Sequence, residues 1–262
     1  MSDPFSRDWF PTADEPNPMR AAQAAMRASL PKRFYREAGI EERDGAFHLV
    51  LDGRPARTPG RNPLAVPTRD LAGAMAAEWG AQGDEINPAT MPVTRIVNSA
   101  IDGVSAHARE VVEDLVKYAG SDLVCYRAAG PERLVEAQSA AWDPVLDWVR
   151  ERHGVRFALA EGVMHVGQPE AACEAVRRAA EAVRSPLRLA ALHVMTTLTG
   201  SVLIALAHAE GRLDADAAWA AAHTDERHQE SVWGEDHEAL QRRHAREAEF
   251  RAASLVYRLA GA

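Results

Sequence analysis

The densest group of side chains that could carry out acid–base or metal chemistry lies near the end of the chain, in residues 222–246. It holds four of the ten histidines together with six carboxylates. Imidazole and carboxylate groups are the usual ligands of zinc, iron and manganese, so the composition of this segment raises a metal centre as one hypothesis. The members are His223, Asp225, Glu226, His228, Glu230, Glu235, Asp236, His237, Glu238 and His244.

The spacing within this segment does not complete a metal site. Helical carboxylate–metal proteins use Glu-x-x-His pairs from two helices, because residues three apart share one helix face. Asp225 and His228 approach that spacing, but no second copy follows. His237 and His244 lie seven apart on one face, and one pair leaves the coordination sphere incomplete. The sequence therefore leaves three interpretations open: a solvated charged face, a partner-binding surface, or a metal-dependent site.

The familiar signatures of catalysis and nucleotide binding are absent from the sequence. It contains no GxGxxG, no GxxxxGK[ST], no GxSxG, no HExxH and no CxxC. An active site assembled from distant residues would leave no such motif, so this absence weakens an enzyme interpretation without removing it. We predict no cofactor and no catalytic residue.

Charge and cysteine content narrow the class of protein. The 262 residues include 30 Lys and Arg against 38 Asp and Glu, a formal net charge of −8. Such an anionic chain lacks the dense cationic surface that nucleic-acid binding requires. Two cysteines cannot form a disulfide framework in a chain of this length.

The acidic, proline-rich start is unlike a secretory signal or transit peptide, so we expect a cytoplasmic protein that does not insert into a membrane.

The N-terminal part is predicted to contain short strands. An apolar run at residues 46–51 is followed by Asp52-Gly53, a pair suited to the positive φ angles of a tight β-hairpin turn. The segment NPLAVP, at residues 62–67, indicates another short strand between two prolines. We therefore expect a hairpin and a further strand to form a small sheet.

A helix is predicted to follow this sheet. Thr68 is a suitable N-cap, and Leu71, Met75 and Trp79 recur every four residues, which indicates a buried stripe along one helix face. Gly83 is expected to end the helix in a left-handed conformation.

Helical signals dominate beyond residue 92. The chain contains 51 alanines, and alanine is the strongest helix former. Asp143-Pro144 and Ser185-Pro186 are each predicted to be a cap followed by a first helical residue. Trp142 and Trp148 lie six residues apart on different helix faces, so at most one is expected in the core. The apolar stretch at 189–207 contains His, Thr and Ser side chains, which favours a buried helix over a membrane span.

The predicted fold class is α+β. We predict that residues 1–30 form a flexible N-terminal tail, residues 31–92 a small α/β domain with a β-hairpin, and residues 93–262 a larger all-helical domain.

Seven separated motifs, in order along the chain, resemble one known family. They are KRFYREAG at 32–39, LDGRPARTP at 51–59, LAGAMAAEWGAQGDEINPATMPVTRIVNSAID at 71–102, DLVCYRA at 122–128, WDPVLDW at 142–148, LTGSVLIALA at 198–207 and DERHQESVWGEDHE at 225–238. The chain resembles the assembly chaperones of the F-type ATP synthase that act on the alpha subunit of the catalytic head, and it looks like a bacterial relative of the mitochondrial members.

The resemblance implies a molecular chaperone without catalytic turnover. Such a protein binds newly made alpha subunit and prevents its aggregation until beta subunits displace it.

Within the motif at 225–238, an apparent helix break at Trp233-Gly234 is surrounded by acids, and this group is the expected partner-binding surface. Its proposed members are Glu226, Glu230, Trp233, Glu235, Asp236 and Glu238. The alternatives are a helical metal-dependent enzyme that uses the cluster at 223–244, or a scaffold component.

Overall fold

A computed structural model describes residues 30–162, 164–234 and 237–261, with no side chain described for residue 237. The tail predicted for residues 1–30 lies outside the described residues, apart from its last position. Within the described ranges the strands are β1 (Ala38–Arg43), β2 (Ala46–Leu51), β3 (Arg54–Pro55), β4 (Ala65–Val66), β5 (Tyr126–Arg127) and β6 (Ala160–Glu161).

The first four strands form an antiparallel sheet with β2 at its centre. β1 pairs along one edge of β2, while β3 and β4 pair with its other edge. The predicted hairpin turn joins β2 to β3, with φ angles of 49° at Asp52 and 73° at Gly53. A second Asp-Gly turn, Asp44-Gly45, joins β1 to β2 and was not anticipated, although its sequence carries the same signal. β5 and β6 form a separate parallel pair.

Ten α-helices lie in the described part of the chain. They are α1 (Arg69–Gly80), α2 (Pro92–Ser99), α3 (Ala108–Gly120), α4 (Glu132–His153), α5 (Glu170–Glu181), α6 (Pro186–Thr199), α7 (Val202–Ala209), α8 (Ala215–Ala222), α9 (Thr224–Trp233) and α10 (His237–Leu259). A fold with a small strand-containing N-terminal region and many helices confirms the predicted α+β class.

Helix α1 begins as predicted but ends differently. The Thr68 hydroxyl oxygen accepts the Leu71 N–H, and Leu71 and Met75 are fully buried. The prediction that Gly83 ends the helix is wrong, because α1 stops at Gly80. The Gln82 side chain donates to the carbonyl of Glu78 at 3.0 Å, so a side chain rather than a left-handed glycine satisfies the last turn.

The predicted helix start at Asp143-Pro144 is also wrong, since α4 runs unbroken through both residues. Trp142 is fully buried on this helix, and its indole N–H donates to the Ala221 carbonyl at 2.8 Å. Packing of this face offsets the one hydrogen bond that Pro144 removes. Asp143 pairs with Arg127 instead of capping a helix. Trp148 is only half-buried, which confirms that one of the two tryptophans at most lies in the core.

The apolar stretch at 189–207 is buried, as predicted. It forms most of α6 and α7, which meet at Gly200, a residue in the left-handed conformation with φ of 66°. Ser185 caps α6, as expected for the Ser185-Pro186 pair. None of the described helices is both long and apolar enough to cross a membrane.

One hydrophobic core joins the sheet to the helices, and α10 closes it. Leu49 of β2, Trp142 of α4 and Phe250 of α10 all belong to the same buried cluster. α10 packs along α6 and also contacts α2, α8 and α1. At its end, the carbonyl of Leu259 accepts a hydrogen bond from the Thr68 hydroxyl at 2.5 Å, across 191 residues of sequence. The last helix therefore contacts the cap of the first.

Candidate partner-binding surface

The segment predicted to bind a partner forms a helical hairpin of α9 and α10. The helix break predicted at Trp233-Gly234 is confirmed: α9 ends at Trp233, and Gly234 adopts a φ of 84°. α9 is attached to α4, because Gln138 donates its side-chain amide to Asp225 at 2.8 Å. The Gln138 side-chain oxygen also accepts the Ala128 N–H at 2.8 Å. This buried glutamine positions the base of the hairpin.

Two large apolar side chains are exposed at the tip of this hairpin. Trp233 is 86% exposed and Val232 is 57% exposed. Among the described large apolar side chains Trp233 is the most exposed, and the neighbouring Val232 extends the same apolar surface. Because exposed apolar side chains that are adjacent to one another are typical of interaction sites, this tip is a candidate contact.

The described acidic residues of the segment do not form one free acidic patch. Glu226 is exposed on α9, whereas Glu230 pairs with Arg243 of α10 and is only about a quarter exposed, at 25%. Glu238 is exposed and lies 3.6 Å from Arg242. Glu235 and Asp236 lie outside the described residues. Much of the negative charge of Glu230 is thus already balanced within the hairpin.

An alanine-lined groove of about 550 Å³ lies on the α4 side of α9. Ala137, Ala140 and Ala141 line it from α4, and Ala217 and its helical neighbours line it from α8. Both helices repeat alanine at spacings of three and four, which places these small residues on one face of each helix. That repeat was visible in the sequence but was not recognised, because the facing of two distant helices is a tertiary property.

A cleft of about 440 Å³ lies on the other side of α9, between α8, α9 and α10. It is lined by both acidic and basic side chains, and by the buried pair Trp219 and His223. The charged and polar lining residues are Asp216, His223, Arg227, Glu230, Arg243, His244, Glu247 and Arg251.

Comparisons with known proteins agree with this architecture. The ATP12 chaperone protein family profile matches residues 32–150. The crystal structure of Atp12 from Paracoccus denitrificans is 39% identical in sequence and superposes with a TM-score of 0.80, covering 88% of this chain and 99% of that one. This chain belongs to the ATP12 chaperone family.

Two further proteins are similar to this chain over most of its length. The Atu1473 protein from Agrobacterium tumefaciens is 47% identical, with a TM-score of 0.85 and coverage of 95% of this chain and 93% of that chain. The mitochondrial protein atp12 of Schizosaccharomyces pombe is 23% identical over 216 residues, 78% of this chain and 74% of that protein. The family resemblance inferred from the seven motifs is therefore confirmed.

In this ATP12 family member the histidines and acids of the hairpin that the structure describes do not converge as metal ligands. No three or more His, Cys, Asp and Glu side chains come together in a metal-holding arrangement within the described residues. His223 is hydrogen-bonded to the Trp219 carbonyl, and Asp225 to Gln138. The side chain of His237 lies outside the described part.

A second exposed aromatic site lies on the N-terminal sheet. Phe34 is 71% exposed beside a groove of about 550 Å³ that Tyr35, Trp79 and the exposed Arg54 and Arg57 also line. Trp79 packs against the core but is only half-buried. The predicted stripe of α1 therefore includes Trp79, but this residue is not fully buried as Leu71 and Met75 are.

Arg95 forms an ion pair between two helices. It pairs with Glu249 of α10 at 2.9 Å. Its side chain remains 43% exposed, so the pair lies at the surface between α2 and α10.

Proposed function

We propose that this protein binds newly made alpha subunit of the F-type ATP synthase head and holds it until beta subunits displace it. The observation that carries the proposal is the exposed pair Val232 and Trp233 at the tip of the α9–α10 hairpin in a member of the ATP12 chaperone family. Tryptophan is the residue most enriched among interface hot spots, and its aromatic ring suits an apolar contact on a partner.

The proposed mechanism is holding without catalytic turnover. A free alpha subunit exposes surface that neighbouring subunits later bury, and exposed apolar surface promotes aggregation. A small apolar contact with a polar rim gives moderate affinity, so a beta subunit that buries more area displaces the chaperone by mass action. No hydrolysis of ATP by this protein is required, and the proposed location is the cytoplasm.

The proposed contact has an apolar centre and an acidic rim. Trp233 supplies the anchor, and the exposed Glu226 supplies a negative charge that is accessible to a partner. Glu230 is held against Arg243 and acts mainly by orienting the hairpin. The rim as predicted from sequence comprises Glu226, Glu230, Glu235, Asp236 and Glu238.

The direct test is complex formation between purified full-length chain and isolated alpha subunit. We expect one complex by gel filtration, and release of the chaperone when beta subunit is added. Binding to beta subunit but not to alpha subunit would contradict the proposal, as would a complex that persists in the assembled head.

Replacing the anchor gives a sharper version of this test. Trp233→Ser is expected to weaken alpha-subunit binding about 30-fold, equivalent to about 2 kcal/mol for a hot-spot tryptophan. Met164→Ser is the matched control, because Met164 is 75% exposed and lies outside the hairpin. Equal losses in the two variants would mean that the tip has no special role.

The acidic rim is tested by charge reversal. Glu226→Lys is expected to weaken binding by about two- to fivefold, mainly through slower association at low salt, with an unchanged melting temperature. Glu181→Lys provides the control, since Glu181 is an exposed helical acid on α5. A Glu226→Lys variant that binds like wild type at low salt would restrict the contact to the apolar tip.

A further inference from the structure

The groove on the N-terminal sheet has an aromatic wall made of three neighbouring rings. The ring of Phe34, which is 71% exposed, meets the ring of Tyr35 edge-on, with centroids 5.4 Å apart. The Tyr35 ring in turn lies 5.5 Å from that of Trp79. Leu51 and Ala56 line the same groove and are buried. The groove therefore offers an apolar surface on which further aromatic side chains can pack.

Two arginines at the rim of this groove have no acidic partner. Arg54 and Arg57, the rim arginines, are exposed, and neither forms an ion pair among the described residues. Asp52 also lines the groove, but its carboxylate accepts the N–H groups of Arg36 at 3.0 Å and of Glu37 at 2.8 Å. An occupant that carries both aromatic and acidic side chains would match the apolar wall and the unpaired cations.

The first eighteen residues of this chain have that chemistry. They lie outside the part of the chain that the structure describes, and they read MSDPFSRDWFPTADEPNP. Three aromatic rings, Phe5, Trp9 and Phe10, stand among four acids and one arginine. The acids are Asp3, Asp8, Asp14 and Glu15. The segment is therefore both aromatic and anionic, which complements the groove in both respects.

The described chain begins close to the groove. Leu30 is the first described residue, and Phe34 follows it by four positions. Trp9 precedes Phe34 by 25 positions, a length of chain that reaches roughly 80 Å when it is extended. The segment is thus long enough to return to the groove of its own chain.

We infer that residues 3–15 bind in this groove of their own chain. Trp9 and Phe10 pack on the aromatic wall, and the acids on either side of them pair with the rim arginines. Because the segment is tethered to the groove, a contact too weak to hold two separate molecules together is sufficient. The contact covers the exposed aromatic surface of the sheet without using the α9–α10 hairpin, so it does not depend on the proposed function.

The first measurement is a competition between the tethered segment and a free peptide. The Trp9→Ser/Phe10→Ser double variant of the full-length chain keeps the segment but lacks two of its rings. A synthetic peptide of residues 1–18 is added, and the backbone amide NMR signals of Phe34 and Arg54 are followed. We expect saturable binding to the double variant. Binding to wild type should be about tenfold weaker or more, because its own segment occupies the groove.

Three results of this competition would overturn the inference. They are the absence of a saturable shift in the double variant, equal affinity of the peptide for the double variant and wild type, and equal shifts with a peptide that itself carries Trp9→Ser and Phe10→Ser.

Charge reversal tests the pairing with the rim arginines. When Arg54→Glu is added to the double variant, we expect the peptide to bind about tenfold more weakly at low salt. Arg133→Glu is the matched control, because Arg133 is an exposed arginine of α4 that does not line the groove. Thermal melting establishes that both chains are folded. Equal affinities of the two chains for the peptide would contradict the assigned charges.

A second peptide tests the same pairing without any change to the chain. Its four acids are replaced by the corresponding amides, and we expect it to bind the double variant about tenfold more weakly than the natural peptide does at low salt. Equal affinity of the two peptides would overturn the pairing even if Arg54→Glu failed to fold.

The occupant is identified by protein concentration and by the alpha subunit. An intramolecular contact requires the Phe34 and Arg54 signals of wild type to stay in place at every protein concentration, and we expect that result. A shift that grows with concentration would assign the groove to a second copy of the chain. If alpha subunit perturbs these signals while the peptide does not bind the double variant, the groove belongs to the client. In either case the inference fails, and the proposed contact at the α9–α10 tip is unaffected.

Discussion

Trp79 connects the first helix to the segment that precedes the sheet. Its ring lies 5.5 Å from that of Tyr35, whose hydroxyl donates to the Trp79 carbonyl at 2.7 Å. Its indole N–H is buried and has no hydrogen-bond partner within the described ranges. The side chain therefore contributes packing rather than hydrogen bonding.

Trp79→Arg is expected to impair folding, because it places a charge against the apolar side of α1. The cost is about 3 kcal/mol or more, a large part of the stability of a typical domain. Thermal melting measures it. Trp79→Phe is the control and should cost less, since it keeps an aromatic ring and removes an unpaired donor. An unchanged melting temperature in Trp79→Arg, with loss of alpha-subunit binding, would make Trp79 a surface anchor instead.

Asp122 is the buried carboxyl that joins the start of α7 to the turn after α3. It accepts the N–H of Val124 at 3.2 Å and the N–H of Leu203 at 3.1 Å. Complete burial raises the pKa of Asp122 to about 6, because the loss of hydration outweighs the hydrogen bonds that favour its charged form. The folded protein therefore binds a proton at Asp122 more tightly than the unfolded chain does.

This raised pKa predicts a pH dependence of stability. Between about pH 4 and pH 6 the folded state holds the Asp122 proton that the unfolded state releases, so the contribution of this group falls as pH rises. The change amounts to about 3 kcal/mol across that range. Denaturant unfolding of wild type and Asp122→Asn measures it. The wild-type advantage over Asp122→Asn should shrink from pH 4 to pH 7, and a constant difference would contradict the raised pKa.

At the scale of elements, helix α2 is capped by a side chain of another helix. Glu78 of α1 accepts the N–H of Val93 at 2.7 Å and the N–H of Thr94 at 2.8 Å. The residue at the N-cap position itself, Met91, supplies no side-chain bond. Glu78 thus fixes the angle at which the first two helices meet.

Glu78→Gln is expected to lower the free energy of unfolding by about 1 to 2 kcal/mol. The amide retains one acceptor for two N–H donors and loses the charge that favours a helix N-terminus. Denaturant titration measures the change. Glu42→Gln, at an exposed position of β1, is the control and should alter stability by less than about 0.5 kcal/mol. Equal effects in the two variants would show that the cap is unimportant.

Features of this chain that depend on neighbouring residues could be predicted from its sequence, whereas features that depend on distant residues could not. Thr68, Ser185 and Gly234 act on their own chain neighbours, and their roles as caps and break were predictable. The capping role of Glu78 depends on a contact between two helices, and the continuity of α4 through Pro144 depends on the burial of its face. The same limit applies to the candidate site: the break at its tip was predictable, but the groove and the cleft on either side of α9 were not.

At the scale of the whole molecule, the protein is expected to suppress aggregation of isolated alpha subunit without nucleotide. Light scattering of refolding alpha subunit measures this, with and without ATP. Because holding depends on covering exposed surface, suppression should increase with chaperone concentration and be the same under both conditions. Trp233→Ser should suppress less than Met164→Ser. A strict requirement for ATP hydrolysis by this protein would contradict a holding mechanism.

The division into a small α/β domain at 31–92 and a helical domain at 93–262 stays a prediction. Leu49 of the sheet and Phe250 of the last helix contribute to one buried cluster.

The contact between Thr68 and Leu259 has a consequence for synthesis on the ribosome. The two residues are separated by 191 positions, and a ribosome adding about 5 to 20 residues per second needs roughly 10 to 40 s to cover them. From the time each is made until α10 follows, the faces of α1, α2 and α6 that α10 covers remain open to water. A protein proposed to shield the exposed apolar surface of an unassembled subunit thus exposes apolar surface of its own during translation. That surface is covered only when its last helix, α10, packs in place.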